Sequence, residues 1–211
     1  MEMSVAIPAI ALAIAMGAVS PGPSFLVVAR TALAISRQDA LAVALGMGFG
    51  AIGFAVLALF GLMLVFAAVP LLYLLMKALG GAYLCHMGYR IWRDAPKPLA
   101  IDASAERGEG RTHWRSFSIG FATQISNPKT AVVYTTVFAS LLPPDAPWQS
   151  VLPVPVLVFF IEAGWYCVVA VALSAAAARA RYLASKVWLD RAAGGVMTAL
   201  GLKLLVDLVL P

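Results

Sequence analysis

Apolar residues run in long unbroken blocks along this chain, and charged residues gather between the blocks. The first block, Ser4 to Ala29, contains no charge, and Arg30 and Arg37 follow it. From Ala40 to Met76 a further 37 residues pass without a charge. A helix of that length measures about 55 Å, too long for one crossing of a ~30 Å hydrocarbon core. Pro70 divides the stretch into one span near Ala40–Phe66 and another near Leu71–Trp92. Residues Arg93 to Arg115 are polar and carry Pro96, Pro98, Gly108 and Gly110, the marks of a loop. Three more apolar blocks follow, near Ser116–Leu142, Val151–Ala178 and Val187–Leu210, with Pro143, Pro144 and Pro147 in the turn between the first two. The pattern predicts an all-α integral membrane protein with six transmembrane helices. It forms a single domain over residues 1–211: a first repeat near 1–92, a loop near 93–115 and a second repeat near 116–211.

Composition agrees with this reading. Of the 211 residues 62% are hydrophobic and 12% are charged, and mean hydropathy is +0.91. Disorder requires the opposite balance, and a soluble domain carries about 25% charge. The net charge of +5 would suggest nucleic acid in a soluble protein, but here it reflects basic loops. Twelve of the fifteen basic residues fall in the 1–2, 3–4 and 5–6 connections, while Lys77, Lys129 and Lys203 lie within spans. The positive-inside rule places those connections in the cytoplasm and both termini outside. The amino-terminal block, with Glu2 before it and no Lys or Arg, reads as a first span and not as a cleavable signal. Cys85 and Cys167 are far apart in sequence and spell neither a disulfide framework nor a thiolate metal site.

The two halves resemble each other. Span 1 carries Gly17 and then Ser20-Pro21-Gly22-Pro23; span 4 carries Gly120 and then Ser126-Asn127-Pro128-Lys129. Span 3 reads Gly81, six residues, Gly88, one residue, Arg90, and span 6 reads Gly194, six residues, Gly201, one residue, Lys203. Three spans per half make the second half enter the membrane from the opposite side, as an inverted repeat. Proline breaks at corresponding places in inverted halves point to a transporter's substrate site.

The breaks carry chemistry. Pro21 and Pro23 lack N–H groups and free the carbonyls of Gly17 and Val19; Pro128 frees that of Gln124. Freed carbonyls bind an ammonium group, and the N-terminal ends of the half-helices bind a carboxylate, so a zwitterionic amino acid is served by both. Kinks that only shape packing are the plainer alternative. Lys129 and Glu162, each near the middle of a span, suit a substrate carboxylate and a substrate ammonium or coupled proton. An ion pair locking two helices is the alternative for both. Asp39 opens span 2 as a helix N-terminal charge or as a gate residue facing the breaks. Lys77 suits snorkelling to the surface, and Lys203 with Asp207 a local pair. His86 is a lone histidine suited to packing or a hydrogen bond. Gly46, Gly50 and Gly53 give span 2 a small-residue face for contact within the bundle or between protomers of a homo-oligomer.

Pro21-Gly22-Pro23, Asn127-Pro128-Lys129, Gly81…Gly88-x-Arg90 and Glu162-x-x-Trp165-Tyr166 together resemble the LysE/RhtB family of bacterial amino-acid exporters, and the resemblance covers essentially the whole chain. It implies a non-enzymatic secondary transporter of the inner membrane. Such a protein exports an amino acid or a close derivative, uses the proton gradient, and needs no cofactor and no nucleic acid. Of the substrates the resemblance implies, the scarcity of acidic groups in the spans favours a neutral one (threonine, homoserine, homoserine lactone or another neutral amino acid) over lysine or arginine. A membrane thiol-redox carrier, a heavy-metal exporter and a purely structural protein are the other classes. The first needs two cysteines that meet, the second a gathering of Cys, His and carboxylates, and the third has no use for matched breaks.

Overall fold

The computed structural model describes residues 3–68, 70–98, 112–143 and 146–209. The described elements are helices: α1 (Met3–Val19), α2 (Pro23–Ala34), α3 (Arg37–Ala68), α4 (Pro70–Asp94), α5 (His113–Ile125), α6 (Pro128–Leu141), α7 (Trp148–Val151), α8 (Pro153–Ser174) and α9 (Ala176–Val209). Among the described residues, the helices covering Arg37–Gly61 and Trp148–Ser174 are each long and apolar enough to cross a membrane. The pair α1 and α2, bent by 53° at its break, makes a third if it counts as one span. Most of the 93–115 loop, at residues 99–111, lies outside the described residues, as does the side chain of Lys77.

Local sequence explains where the helices stop. Pro21 and Pro23 cannot donate to the ladder, so α1 ends at Val19. The chain then passes through Gly22 in an extended conformation, and α2 starts with Pro23 in its first turn. There a proline's missing N–H is no loss. In the second half α5 ends at Ile125, and Asn127 caps α6 by accepting the Lys129 N–H at 3.0 Å, with Pro128 at the first helical position. The sequence reading differs most at the 5–6 connection. Arg179 and Arg181 were expected in a loop, yet α9 runs unbroken from Ala176. The run of alanines at 175–178 has the highest intrinsic helix propensity, so a bend at Ala175 alone turns the chain.

Close helix contacts rest on small residues. A Cβ on Gly88 would lie 2.6 Å from the Gly194 carbonyl, and one on Gly201 would lie 2.6 Å from the Gly81 carbonyl. The two glycine pairs therefore face each other, and their order makes α4 and α9 antiparallel. Gly46 and Gly50 of α3 meet Phe117, Phe121 and Gln124 of α5, and Gly120 meets Val43, so α3 and α5 run parallel. Burial is arranged as a membrane requires. Leu57, Leu79, Phe160 and Trp188 are exposed, while Asp39, Gln124, Asn127 and Glu162 are buried. One apolar cluster surrounds Ile10, Ile14, Leu84, Tyr134 and Phe138; a second surrounds Phe25, Met47, Tyr166 and Leu173. The breaks and Glu162 lie where these clusters meet.

Candidate functional site

Lys129, in the first turn of α6, reaches across the molecule to the broken end of α1. Its Nζ donates to the Gly17 carbonyl at 2.9 Å and to the Ser20 carbonyl at 2.7 Å. Proline chemistry explains the first acceptor, since Pro21 stands four residues after Gly17 and has no N–H to give it. The second half behaves differently. The Gln124 carbonyl accepts the Asn127 N–H at 3.1 Å within the turn itself. Thus α1 contributes backbone carbonyls, while the α5–α6 break contributes a cation and side-chain amides.

Those amides form a directed chain. The Asn127 Oδ1 accepts from the Lys129 N–H, which leaves its Nδ2 to donate to Ser24 Oγ at 2.9 Å. Ser24 Oγ in turn donates to Gln124 Oε1 at 2.6 Å. A backbone N–H can only donate, so this end fixes the direction of every bond that follows. On the other side Tyr134 donates its hydroxyl to Glu162 Oε1 at 2.9 Å. Gln124 Nε2 and Glu162 Oε2 make no well-aligned hydrogen bond, but the Gln124 amide and the Tyr166 hydroxyl both stand at the Glu162 carboxyl. Among the described residues no ion pair joins Lys129 to Glu162.

Two cavities meet at the breaks. One, of about 20 Å³, is lined by Gly17, Ser20, Ser24, Lys129, Tyr134 and Glu162, among others. The other, of about 630 Å³, extends from Pro21, Pro23 and Pro128 past His86 and Arg90 to Asp94, Lys186 and Asp190. Ser20, Gly22, Asn127 and Lys129 line both. The larger cavity carries Lys186 bonded to Asp190 at 2.7 Å and to the Ala95 carbonyl at 3.0 Å. At its outer rim, hydrogen bonds from Lys97 and Arg93 hold the Asp94 carboxyl below its ordinary range.

The structure brings together Gly17, Ser20, Pro21, Gly22, Pro23, Asn127, Pro128 and Lys129 around the two cavities, and adds Glu162 to the smaller one. Gln124 joins through Ser24. Ser126 caps the end of α5 and is exposed, outside both linings. Asp39 also lies outside them: it accepts from Ser36 Oγ at 2.5 Å and Ser116 Oγ at 2.8 Å, with His113 Nδ1 at 3.2 Å. It fastens the start of α3 to the start of α5. Ser24, Tyr134, Lys186 and Asp190 were not singled out from the sequence. Asp190 carried a signal, an acid four residues after a lysine on one helix face; Ser24 and Tyr134 carried none, because only the fold turns them inward. Cys85 donates to the Thr198 carbonyl at 3.7 Å and Cys167 packs beside the Phe25 cluster; both are free thiols. Among the described residues no group of three His, Cys, Asp or Glu is placed to hold a metal.

A family model described as LysE type translocator matches residues 15–208. The threonine efflux protein of Escherichia coli (strain K12) is 32% identical over 188 residues, which cover 89% of this chain and 91% of that protein. The threonine efflux protein of Salmonella typhi is 31% identical over the same shares of each chain. An uncharacterized membrane protein of Haemophilus influenzae is 27% identical, covering 88% of this chain and 89% of that one. No solved structure matches the chain.

Proposed function

The chain belongs to the LysE type translocator family, and from that premise we propose that it exports a small neutral amino acid, of the threonine or homoserine kind, across the bacterial inner membrane. It is a transporter and not an enzyme. One observation carries the reading: an ammonium group, that of Lys129, is bound by the two backbone carbonyls that the α1 break leaves free. A site that holds one ammonium there accepts another. The substrate's ammonium takes the Gly17 and Ser20 carbonyls while Lys129 turns to its carboxylate. The N-terminal ends of α2 and α6 add N–H groups and dipole to the same carboxylate. Glu162, the acidic group in the smaller cavity, is left for the coupled proton or for a polar group of the substrate, and transport draws on the proton gradient.

The architecture we propose has six spans: α1 with α2, α3, α4, α5 with α6, α8, and α9. They form two inverted halves, with both termini outside. The antiparallel packing of α4 on α9 and the parallel packing of α3 on α5 support it, since spans 3 and 6 must oppose and spans 2 and 4 must agree. In that orientation the 630 Å³ cavity opens towards the cytoplasm, the side from which an exporter loads. A growth screen tests the function. A sensitised host producing the protein, challenged with toxic levels of single amino acids and analogues, should resist threonine or homoserine analogues. Resistance to none, with the protein present in the membrane, contradicts the reading.

A further inference from the structure

We propose that Asp190 on α9 and Lys129 on α6 form a loading site in the larger cavity, where an amino acid from the cytoplasm is held by its ammonium at Asp190 and by its carboxylate at Lys129 before it reaches the helix breaks. The inference rests on the amino-acid exporter reading and the orientation given above, and adds to them a residue and a position.

Space separates the two positions. Gly17 lines only the smaller cavity, whose 20 Å³ is room for about one water molecule, and Lys129 already occupies its carbonyl. An arriving amino acid therefore has to be held first in the 630 Å³ cavity, a volume in the range of small-molecule sites. Two acids line that cavity, Asp94 and Asp190. Asp94, at the rim, is taken by Lys97 at 2.8 Å and by Arg93 at 3.2 Å. Asp190 is 4% exposed and accepts from Lys186 through Oδ2 at 2.7 Å. Among the described residues no other side chain donates to it. Its Oδ1 is left as an acceptor, and it is not sealed away from the cavity that Asp190 lines. Lys186 is itself fixed by the Ala95 carbonyl at 3.0 Å, and so holds Asp190 in place.

The opposite charge is open as well. A lysine ammonium has three N–H donors, and Lys129 gives two of them to Gly17 and Ser20. The third is left for a carboxylate while the two carbonyls keep their donor. Lys129 and Asp190 line the same cavity and stand close enough to act on each other's charge. Among the described residues they form no ion pair with each other; that of Asp190 is with Lys186. An α-amino acid carries both charges on one carbon, so its two partners have to stand apart by the width of that group. A zwitterion bridges them, whereas a lone ammonium or a lone carboxylate meets one and leaves the other open. Arg90 lines the cavity too but is exposed, where a charge adds steering more than affinity. In the step to the breaks Lys129 leaves the two carbonyls with the carboxylate still bound, and the ammonium passes from Asp190 to them.

The test measures KM and Vmax for labelled threonine and homoserine from each side of the membrane, in inside-out and right-side-out vesicles carrying the whole protein. From the cytoplasmic side Asp190→Asn should raise KM at least about tenfold, the effect of one hydrogen bond to a charged group. Vmax from that side, and KM from the periplasmic side, should stay within about threefold, because binding during loading is what is lost. The Lys186→Met/Asp190→Asn double variant removes the whole pair, leaves no charge unpaired, and should show the same one-sided rise. An unchanged KM on the cytoplasmic side, an equal rise on both sides, or a fall in Vmax alone overturns the inference, since Asp190 then only braces α9 against the end of α4. Absence of both variants from the membrane overturns it for the same reason. Each of these outcomes leaves the exporter reading intact, because wild-type transport carries that reading. If the wild type moves neither amino acid from either side, both the exporter reading and the inference fail.

Discussion

At the scale of single residues, Lys129 ties the two halves together and marks what the α1 break can bind. Lys129→Met removes a half-buried cation, yet leaves the Gly17 and Ser20 carbonyls without their donor. An unsatisfied buried acceptor costs about 1–3 kcal/mol, offset in part by the charge no longer buried. The expected result is a membrane protein of near-normal abundance without export, measured by immunoblot and efflux. Adding Glu162→Gln should not restore transport. Recovery in the double variant would mean that Lys129 serves only to balance Glu162. Asn127 allows a cleaner separation of cap from relay. Asn127→Asp keeps the cap on the Lys129 N–H but offers Ser24 no donor, so the Ser24 hydrogen is drawn away from Gln124. Thermal stability in detergent should then hold to within about 1 kcal/mol, the worth of a cap, while export falls at least tenfold. Asn127→Ala should lose both. Lys129 and Glu162 were legible in the sequence because a charge inside an apolar block is conspicuous. Tyr134, which bonds Glu162, and Ser24, which links Asn127 to Gln124, were not, since both are ordinary residues until the fold faces them inward.

At the scale of elements, the breaks and the glycine faces decide the shape. The proline motifs were legible because a missing N–H is a local fact. What each break does was only half legible. Gly17 offers its carbonyl outward, but Gln124 satisfies its own through the Asn127 N–H, a difference set by local turn geometry. The glycine matches in spans 3 and 6 stood out as a repeat, while their meaning as mutual contact surfaces required two helices to be brought together. Replacing both Pro21 and Pro23 by Ala should let α1 and α2 join. Each substitution favours helix by about 3 kcal/mol where the backbone can follow. The variant should melt no lower than the wild type and lose export. A stable, continuous helix with undiminished export would make the break a packing feature. Gly88→Val should act oppositely. Its Cβ meets the Gly194 carbonyl at 2.6 Å, so α4 and α9 must part. Loss of more than about 2 kcal/mol of stability, seen as a fall in melting temperature and in membrane abundance, is expected.

At the scale of the whole molecule, six proposed spans surround one proposed amino-acid site. Apolar blocks and basic loops made the helical membrane class plain from sequence, because hydropathy is a property of composition. The continuous α9 was missed at the 5–6 connection, because basic side chains mark a side of the membrane and say nothing of helix ends. Reporter fusions along the chain should place both termini outside and residues 93–115 inside. A cytoplasmic carboxyl terminus would refute the six-span arrangement. The central claim is that the two helix breaks, joined by Lys129, form an amino-acid site that the protein alternately opens. Counterflow of labelled threonine in proteoliposomes, comparing wild type with Lys129→Met at equal protein, tests it most directly. Rapid, saturable exchange is expected of the wild type, and a rate at the protein-free background of Lys129→Met. Undiminished exchange by Lys129→Met would contradict it.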